Sequence, residues 1–577
     1  MTKRSRPLLS CPAVPPRLRG GVHRGLLCVP LCVLACLLLF PPARGLLVAS
    51  LQAAGAPRER PLPGPSAAGR RGGDEPAATL RARLEEGRAA LARGEPALVL
   101  ERLGESWEEA PAEVLPLLLD ACREGRLPRK GRALVEAAGA RGDLPPLAIV
   151  AIAGWEAEEG FVLRAIRRVD AALSARARSP VLWSARARLA RAVGDPAVAY
   201  AAAEEALECG AEAAPQRWIQ GAAALELGRG EEGRALLRSL LADAPGHLAA
   251  RMALAGDHRG RGEIDAALRL GWEVLERDPD HVAALQLVGG LLVREEPTRE
   301  RGRILLARFR ATRDRRERID RLGREIHEGR DTPALRAELA ERLLGDGRPR
   351  EARAVAAGAS SETPPALRAR LLAAEGRAAW AVGDPAAALR ALGSAVALDR
   401  SRSGLRLEIA EILIARGEVA RAIEVLDRVD RAHDPRRRAW LEVDCLARRG
   451  AGWEILAPRL RDLVLADPSD LPVLRGYVDV AVAFRRVDEA TELLEGLPSS
   501  GAAGPPLRVA RAWLADAAAA SSDDAERSAR EAALIEDDTV DGWLLLRERR
   551  IRRGDGRGAV EALSRARRAR VLLPTEE

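Results

Sequence analysis

From about residue 94 to residue 574 one pattern recurs along the chain. A helix-forming stretch ends in a glycine-containing turn, and the next begins with Gly-x-x-x-x-Ala-aliphatic. The pattern reads Gly194 with Ala199, Gly230 with Ala235, Gly262 with Ala267, Gly347 with Ala352, Gly383 with Ala388 and Gly417 with Ala422. Degenerate sites follow the same rhythm at Gly302, Ile455, Ala490, Ala525 and Ala562. Counted in order from Ala199, the steps are 36, 32, 35, 50, 36, 34, 33, 35, 35 and 37. Turns at Gly94, Gly125 and Gly160 carry the period toward the N-terminus. A period near 35 residues, made of two amphipathic helices and two turns, specifies a helical solenoid. It leaves no stretch long enough for an inserted catalytic domain, so the chain reads as a non-enzyme.

Each position has a physical reason. The glycine ends the first helix because only glycine enters the left-handed region without a steric penalty. Asp195-Pro196 and Asp384-Pro385 then open the second helix. The acid sits at the positive end of the helix dipole and the proline suits the first turn. The alanine marks a close crossing of two helices. Aliphatics such as Leu268 with Leu275, or Ile423 with Leu426, supply the apolar stripe.

Residues Gly262 to Pro279 (GEIDAALRLGWEVLERDP) resemble the second half of a tetratricopeptide repeat. In that family an alanine of the second helix is followed twelve residues later by a helix-ending proline. Ala267 with Pro279, Ala562 with Pro574 and the degenerate Val99 with Pro111 keep that spacing. Leu254-Ala255 and Trp183 stand where the family's first-helix Leu-Gly pair and leading tryptophan fall. The resemblance covers residues 77–577, and the tyrosines of the first helix are mostly missing. It implies an all-α, right-handed solenoid of about 13–14 helix pairs whose groove binds proteins or peptides. It implies no reaction and no cofactor.

Composition agrees with helix. Aromatic residues make up 3% of the chain and hydrophobic residues 47%. The net charge of +8 suggests a polyanion partner, but the excess is local. Residues 1–60 hold nine basic residues and one acid, Glu59, and the remainder is neutral. Residues 1–24 form a basic leader. Leu26 to Phe40 (LLCVPLCVLACLLLF) is an apolar run, so residues 25–51 read as a signal peptide or membrane anchor. Residues 52–76 form a Pro/Gly/Arg-rich linker. This order predicts a body exported to the periplasm or cell envelope, or tethered to its membrane, with a cytoplasmic body as the lesser reading.

The period breaks over residues 303–346, where the extra residues include most of the strongly basic stretch 299–324. That stretch carries eleven arginines against four acids. Arg313, Arg315, Arg316, Arg318, Arg321 and Arg324 are the candidate partner-binding residues. They would form a docking surface for an acidic segment, or for RNA in an alternative reading of the chain as an RNA-binding repeat protein. The neutral body argues against nucleic acid. The bland alternative is a solvated helix face.

Other chemistry is missing. Gly228-Arg-Gly230-Glu-Glu-Gly233 matches Gly-x-Gly-x-x-Gly but follows a helix, so it reads as an inter-helix turn. The only lysines are Lys3 and Lys130, which leaves no phosphate-binding Gly-Lys-Ser/Thr motif. No spacing suggests a metal, and no residue is nominated as catalytic. Cys122, Cys209 and Cys445 read as small hydrophobes. His247, His258, His281 and His433 fall near turns. The tryptophans read as core wedges.

Overall fold

The structure is a computed structural model that describes residues 75–572, apart from 105, 358–361, 431, 499–503, 519–539 and 553–554. The chain divides into two units, Met1–Arg70 with Thr575–Glu577, and Arg71–Pro574. All described residues belong to the second. The leader, the apolar run, the linker, Ala525 and Pro574 lie outside the described residues.

The described residues form a stack of helix pairs. The first six pairs are α1 (Glu75–Ala92) with α2 (Pro96–Leu103), α3 (Pro111–Glu124) with α4 (Pro128–Ala140), α5 (Pro146–Glu158) with α6 (Val162–Ala175), α7 (Pro180–Ala192) with α8 (Pro196–Glu208), α9 (Ala213–Glu226) with α10 (Gly230–Asp243), and α11 (Leu248–Gly260) with α12 (Ile264–Leu275). The seventh is α13 (Val282–Leu292) with α14 (Arg299–His327). Then come α15 (Pro333–Gly345) with α16 (Pro349–Ala356), α17 (Pro365–Ala381) with α18 (Pro385–Leu398), α19 (Ser403–Ala415) with α20 (Val419–Leu426), α21 (Pro435–Arg448) with α22 (Trp453–Ala466), and α23 (Leu471–Ala483) with α24 (Val487–Glu495). α25 (Gly504–Ala518) opens a thirteenth pair, and α26 (Val540–Arg552) with α27 (Gly556–Leu572) make the fourteenth.

The crossing residue expected near the start of each second helix is buried in most described pairs. Val99, Ala165, Ala199, Ala267, Ala352, Ala388, Ala422, Ala490 and Ala562 are all fully enclosed. Two positions move from their expected places. In pair five Ala235 is exposed; the turn is made by Gly228, at φ +79°, and the buried crossing is Gly233. In pair eleven Ile455 is 45% exposed and Leu456 takes the crossing, because the turn runs one residue longer through Gly452. The second turn also differs: Gly125 stays right-handed and Arg126 takes the left-handed conformation, at φ +53°.

The caps explain the turn sequences. Asp195 and Asp384 accept hydrogen bonds from the backbone N–H of Val198 and Ala387. Glu95, Glu263 and Glu418 hold the same place but make no side-chain cap, the glutamate being one methylene too long for that short loop. His247 and His281 cap α11 and α13 through Nδ1. Pro111 opens α3 instead of closing a helix, and Pro279 lies in a turn.

Successive first helices touch along much of the stack, as α3 and α5, α15 and α17, or α23 and α25 do. Successive second helices share no comparable contact among the described residues. The first helices therefore line the inside of the curve. Each interior is small: α17 meets α18 where Leu392 covers Gly376, and α9 meets α10 where Leu237 covers Gly221.

The 50-residue interval falls on one helix. α14 is 29 residues long, against 13 for α15. Its buried stripe runs through Leu305, Thr312, Ile319, Leu322 and Ile326. The roughly fifteen extra residues are about four helical turns, so the stripe stays on one face. The first half of α14 completes pair seven, and the second half packs on α15 through Ile319, Leu322 and Ile326.

Candidate functional site: the inner face and the basic helix

The inner face of pairs eight to eleven is a row of forked arginine–glutamate pairs, each joining one first helix to the next. Arg370 of α17 donates two hydrogen bonds to Glu341 of α15, at 3.1 and 2.7 Å. Arg377, also on α17, grips Glu408 of α19 at 2.9 and 2.7 Å. Arg437 of α21 grips Glu411 of α19 at 2.7 and 2.9 Å. Arg318 of α14 extends the row, reaching Glu338 of α15 at 2.7 Å. Burial works against the charge on Arg377 and Arg437, but the glutamates more than offset it and hold both guanidiniums above their ordinary value. The row is charge-balanced, each guanidinium facing one glutamate.

The six nominated arginines part company. Arg315 bonds Asp346 at 2.8 Å and approaches Asp280 at 3.4 Å. Arg316 donates to the Asp280 carbonyl at 3.2 Å. Arg318 belongs to the row just described. These three are bound into the solenoid. Arg313 is exposed and pairs along its own helix with Asp314 and Glu317, its guanidinium 5.6 Å from the Phe309 ring centre. Arg321 and Arg324 are exposed and form no ion pair among the described residues. With Arg310 they make an outward stripe; Arg313 and Arg324 lie about 16 Å apart along the axis.

Sequence reasoning missed two seams that join distant pairs. At the first, Arg353 of α16 donates to Glu95 at 2.7 Å, to Asp384 at 3.1 Å and to the Arg93 carbonyl at 3.1 Å. Arg126 reaches Glu351 at 3.7 Å, and His327 bonds Glu159 at 3.0 Å and Arg132 at 2.8 Å. Pairs one to three thus meet pairs seven and eight. At the second, Ser564 and Arg568 of α27 both donate to Glu276 at 2.7 Å, and Arg308 of α14 donates to the Val571 carbonyl at 3.1 Å. α14 therefore touches both seams. No local signal marks them, since the partners stand 168 to 292 residues apart. A cleft of about 470 Å³ beside the first seam is lined by Glu95, Leu98, Arg353, Glu375, Arg390 and Ser394, among others.

Residues 379–441, which run from the end of α17 into α21, match the family model described as a tetratricopeptide repeat. That stretch carries tetratricopeptide-repeat sequence. No curated protein matches it. Among solved structures it is similar to yeast Tom70, at 13% identity and a TM-score of 0.33, over 72% of this chain and 90% of that one. It is also similar to a tetratricopeptide repeat protein from Parabacteroides merdae, at 13% identity and a TM-score of 0.25, over 58% and 99%. A third is YrrB, titled a TPR protein with an unusual peptide-binding site, at 18% identity and a TM-score of 0.25, over 31% and 91%. Likenesses this low carry no argument about shape or partner.

Tetratricopeptide architecture is of the scaffold type that serves protein–protein interaction. The described residues hold no group of His, Cys, Asp and Glu able to bind a metal, and no helix long and apolar enough to cross a membrane. Cys122 and Cys445 are buried, and burial pushes both thiols up to about 11. Cys209 is half-buried. The tryptophans act as wedges: Trp155 lies against Gly131 and Trp440 against Gly476.

Proposed function

We propose that this chain is a non-catalytic tetratricopeptide-repeat scaffold that binds partner proteins or peptides along its inner face. The observation that carries the reading is the row of arginine–glutamate pairs on α15, α17, α19 and α21, which presents fixed donors and acceptors in alternation. An extended segment gains many modest contacts on such a surface. A photo-crosslinking residue placed at Ala415, exposed on the same face of α19 as Glu408 and Glu411, should trap a partner, and Glu408→Ala should weaken that trapping. Equal trapping from Arg310, on the opposite side, would remove the inner face from consideration.

The scaffold is proposed to work in the cell envelope, exported or tethered by residues 25–51. The basic leader followed by an apolar run supports this. Protease added to spheroplasts should degrade a C-terminal tag on the full chain; a protected tag would assign the scaffold to the cytoplasm. A second reading uses the outward stripe of Arg310, Arg313, Arg321 and Arg324 to hold an acidic segment or RNA. It predicts filter retention of single-stranded RNA that falls steeply with salt.

A further inference from the structure

At the first seam one oxygen of a half-buried carboxyl has no partner. Glu124 ends α3, and its Oε2 is buried without a hydrogen-bond partner. Asp120 and Arg123 neighbour it on its own helix, and Arg123 is committed to Asp120 and to Glu158 of α5. Arg126, in the following turn, lies over Gly323 of α14 and leans toward Glu351. Across the seam stand Arg348, Arg350 and Glu351, with Arg348 holding Glu351 through two bonds of 2.7 Å. Asp320 of α14 acts on Arg348 from behind. The backbone of Arg350 rests on the turn at Gly94, between Arg93 and Glu95. Among the main influences on Glu124, Arg350 favours its charge, while Glu351 and Asp120 oppose it.

We infer that this seam is a pH-operated latch, closed while Glu124 carries a proton and loosened when Glu124 ionises against Glu351. Burial first, then Glu351 and Asp120, push the Glu124 carboxyl up to about 7. In an opened seam it returns toward its ordinary 4.5. The closed form therefore holds the proton more tightly. Closure is strongest below about pH 4.5, weakens as pH rises toward about 7 and levels off above it. Two such values for one group imply that the opening equilibrium rises about ten-fold between pH 6 and 8. An opened seam would free pair one from pair eight and let the curve relax, which would alter the inner face without touching it.

The test is hydrogen exchange on the full chain at several pH values from 6 to 8, corrected for the intrinsic rate. Peptides covering 120–132 and 345–353 should lose protection, corresponding to about a ten-fold rise in opening. Peptides at the second seam, 270–280 and 560–571, should not. Glu124→Gln should hold the first seam at its low-pH protection throughout. Asp120→Asn, which removes one opposing charge, should move the transition to lower pH, and it decides the matter should Glu124→Gln fail to fold. Uniform loss at both seams, or an unchanged transition in the variant that folds, would overturn the latch.

Discussion

At the residue scale, two degenerate positions of the repeat have no room for a methyl group. Most pairs carry alanine at the crossing, but pairs five and seven carry Gly233 and Gly302. A methyl group added to Gly302 would lie 2.5 Å from the Val293 nitrogen and 3.0 Å from the Gly289 carbonyl oxygen. Those are backbone atoms, which cannot swing away. Restoring the consensus should therefore harm: Gly302→Ala is expected to cost about 1–3 kcal/mol, read as a lower denaturant midpoint at unchanged slope. The opposite sign is expected at Arg485, a non-glycine residue at φ +57° in the twelfth turn. Arg485→Gly removes that strain and should gain up to about 1 kcal/mol by the same measurement. The glycine-alanine rhythm was legible because sterics fix it locally. The two-residue shift in pair five was not, because Gly228 and Gly230 both fit the pattern and only the fold shows which turns left-handed.

At the element scale, α14 decides which arginines are free. Its buried stripe could be traced in the sequence through Leu305, Ile319, Leu322 and Ile326. Arg308, Arg315 and Arg316 flank that stripe, whereas Arg310, Arg321 and Arg324 lie nearly opposite it. Helical phase would thus have split the six nominated arginines, with Arg318 at the margin. Their acidic partners, Asp280 and Asp346, sit on other elements and had no such signal. Asp346 is 4% exposed and anchors Arg315. Asp346→Ala leaves that guanidinium unpaired against α14, and a loss of about 2–4 kcal/mol is expected in chemical denaturation. Thr312 lies on the same stripe, fully buried, with an Oγ1 that bonds nothing. Thr312→Val replaces that hydroxyl by a methyl of the same shape and should stabilise by about 1 kcal/mol. An unaltered melting temperature there would mean that the hydroxyl is satisfied in solution.

At the scale of the whole solenoid, the seams change what kind of object the repeat makes. A simple helical solenoid is quasi-one-dimensional: each pair feels only its neighbours, and a substitution is felt locally. Here pair eight also holds pair one, through a single side chain. Arg353 is 5% exposed and bonds Glu95, the Arg93 carbonyl and Asp384 together. Burial pushes the Asp384 carboxyl up, but the Ala387 N–H and Arg353 hold it below the ordinary carboxylate range. Arg353→Ala leaves two carboxylates without their shared cation. In a chain of nearest-neighbour contacts the damage would stay in pairs eight and nine. With the seam present, hydrogen exchange should also quicken in Glu95–Leu103, some 258 residues earlier, while pairs four and five, which share no seam contact, keep their protection. Exchange confined to α16 through α18 would show that the solenoid behaves one-dimensionally and that its turns touch without supporting one another.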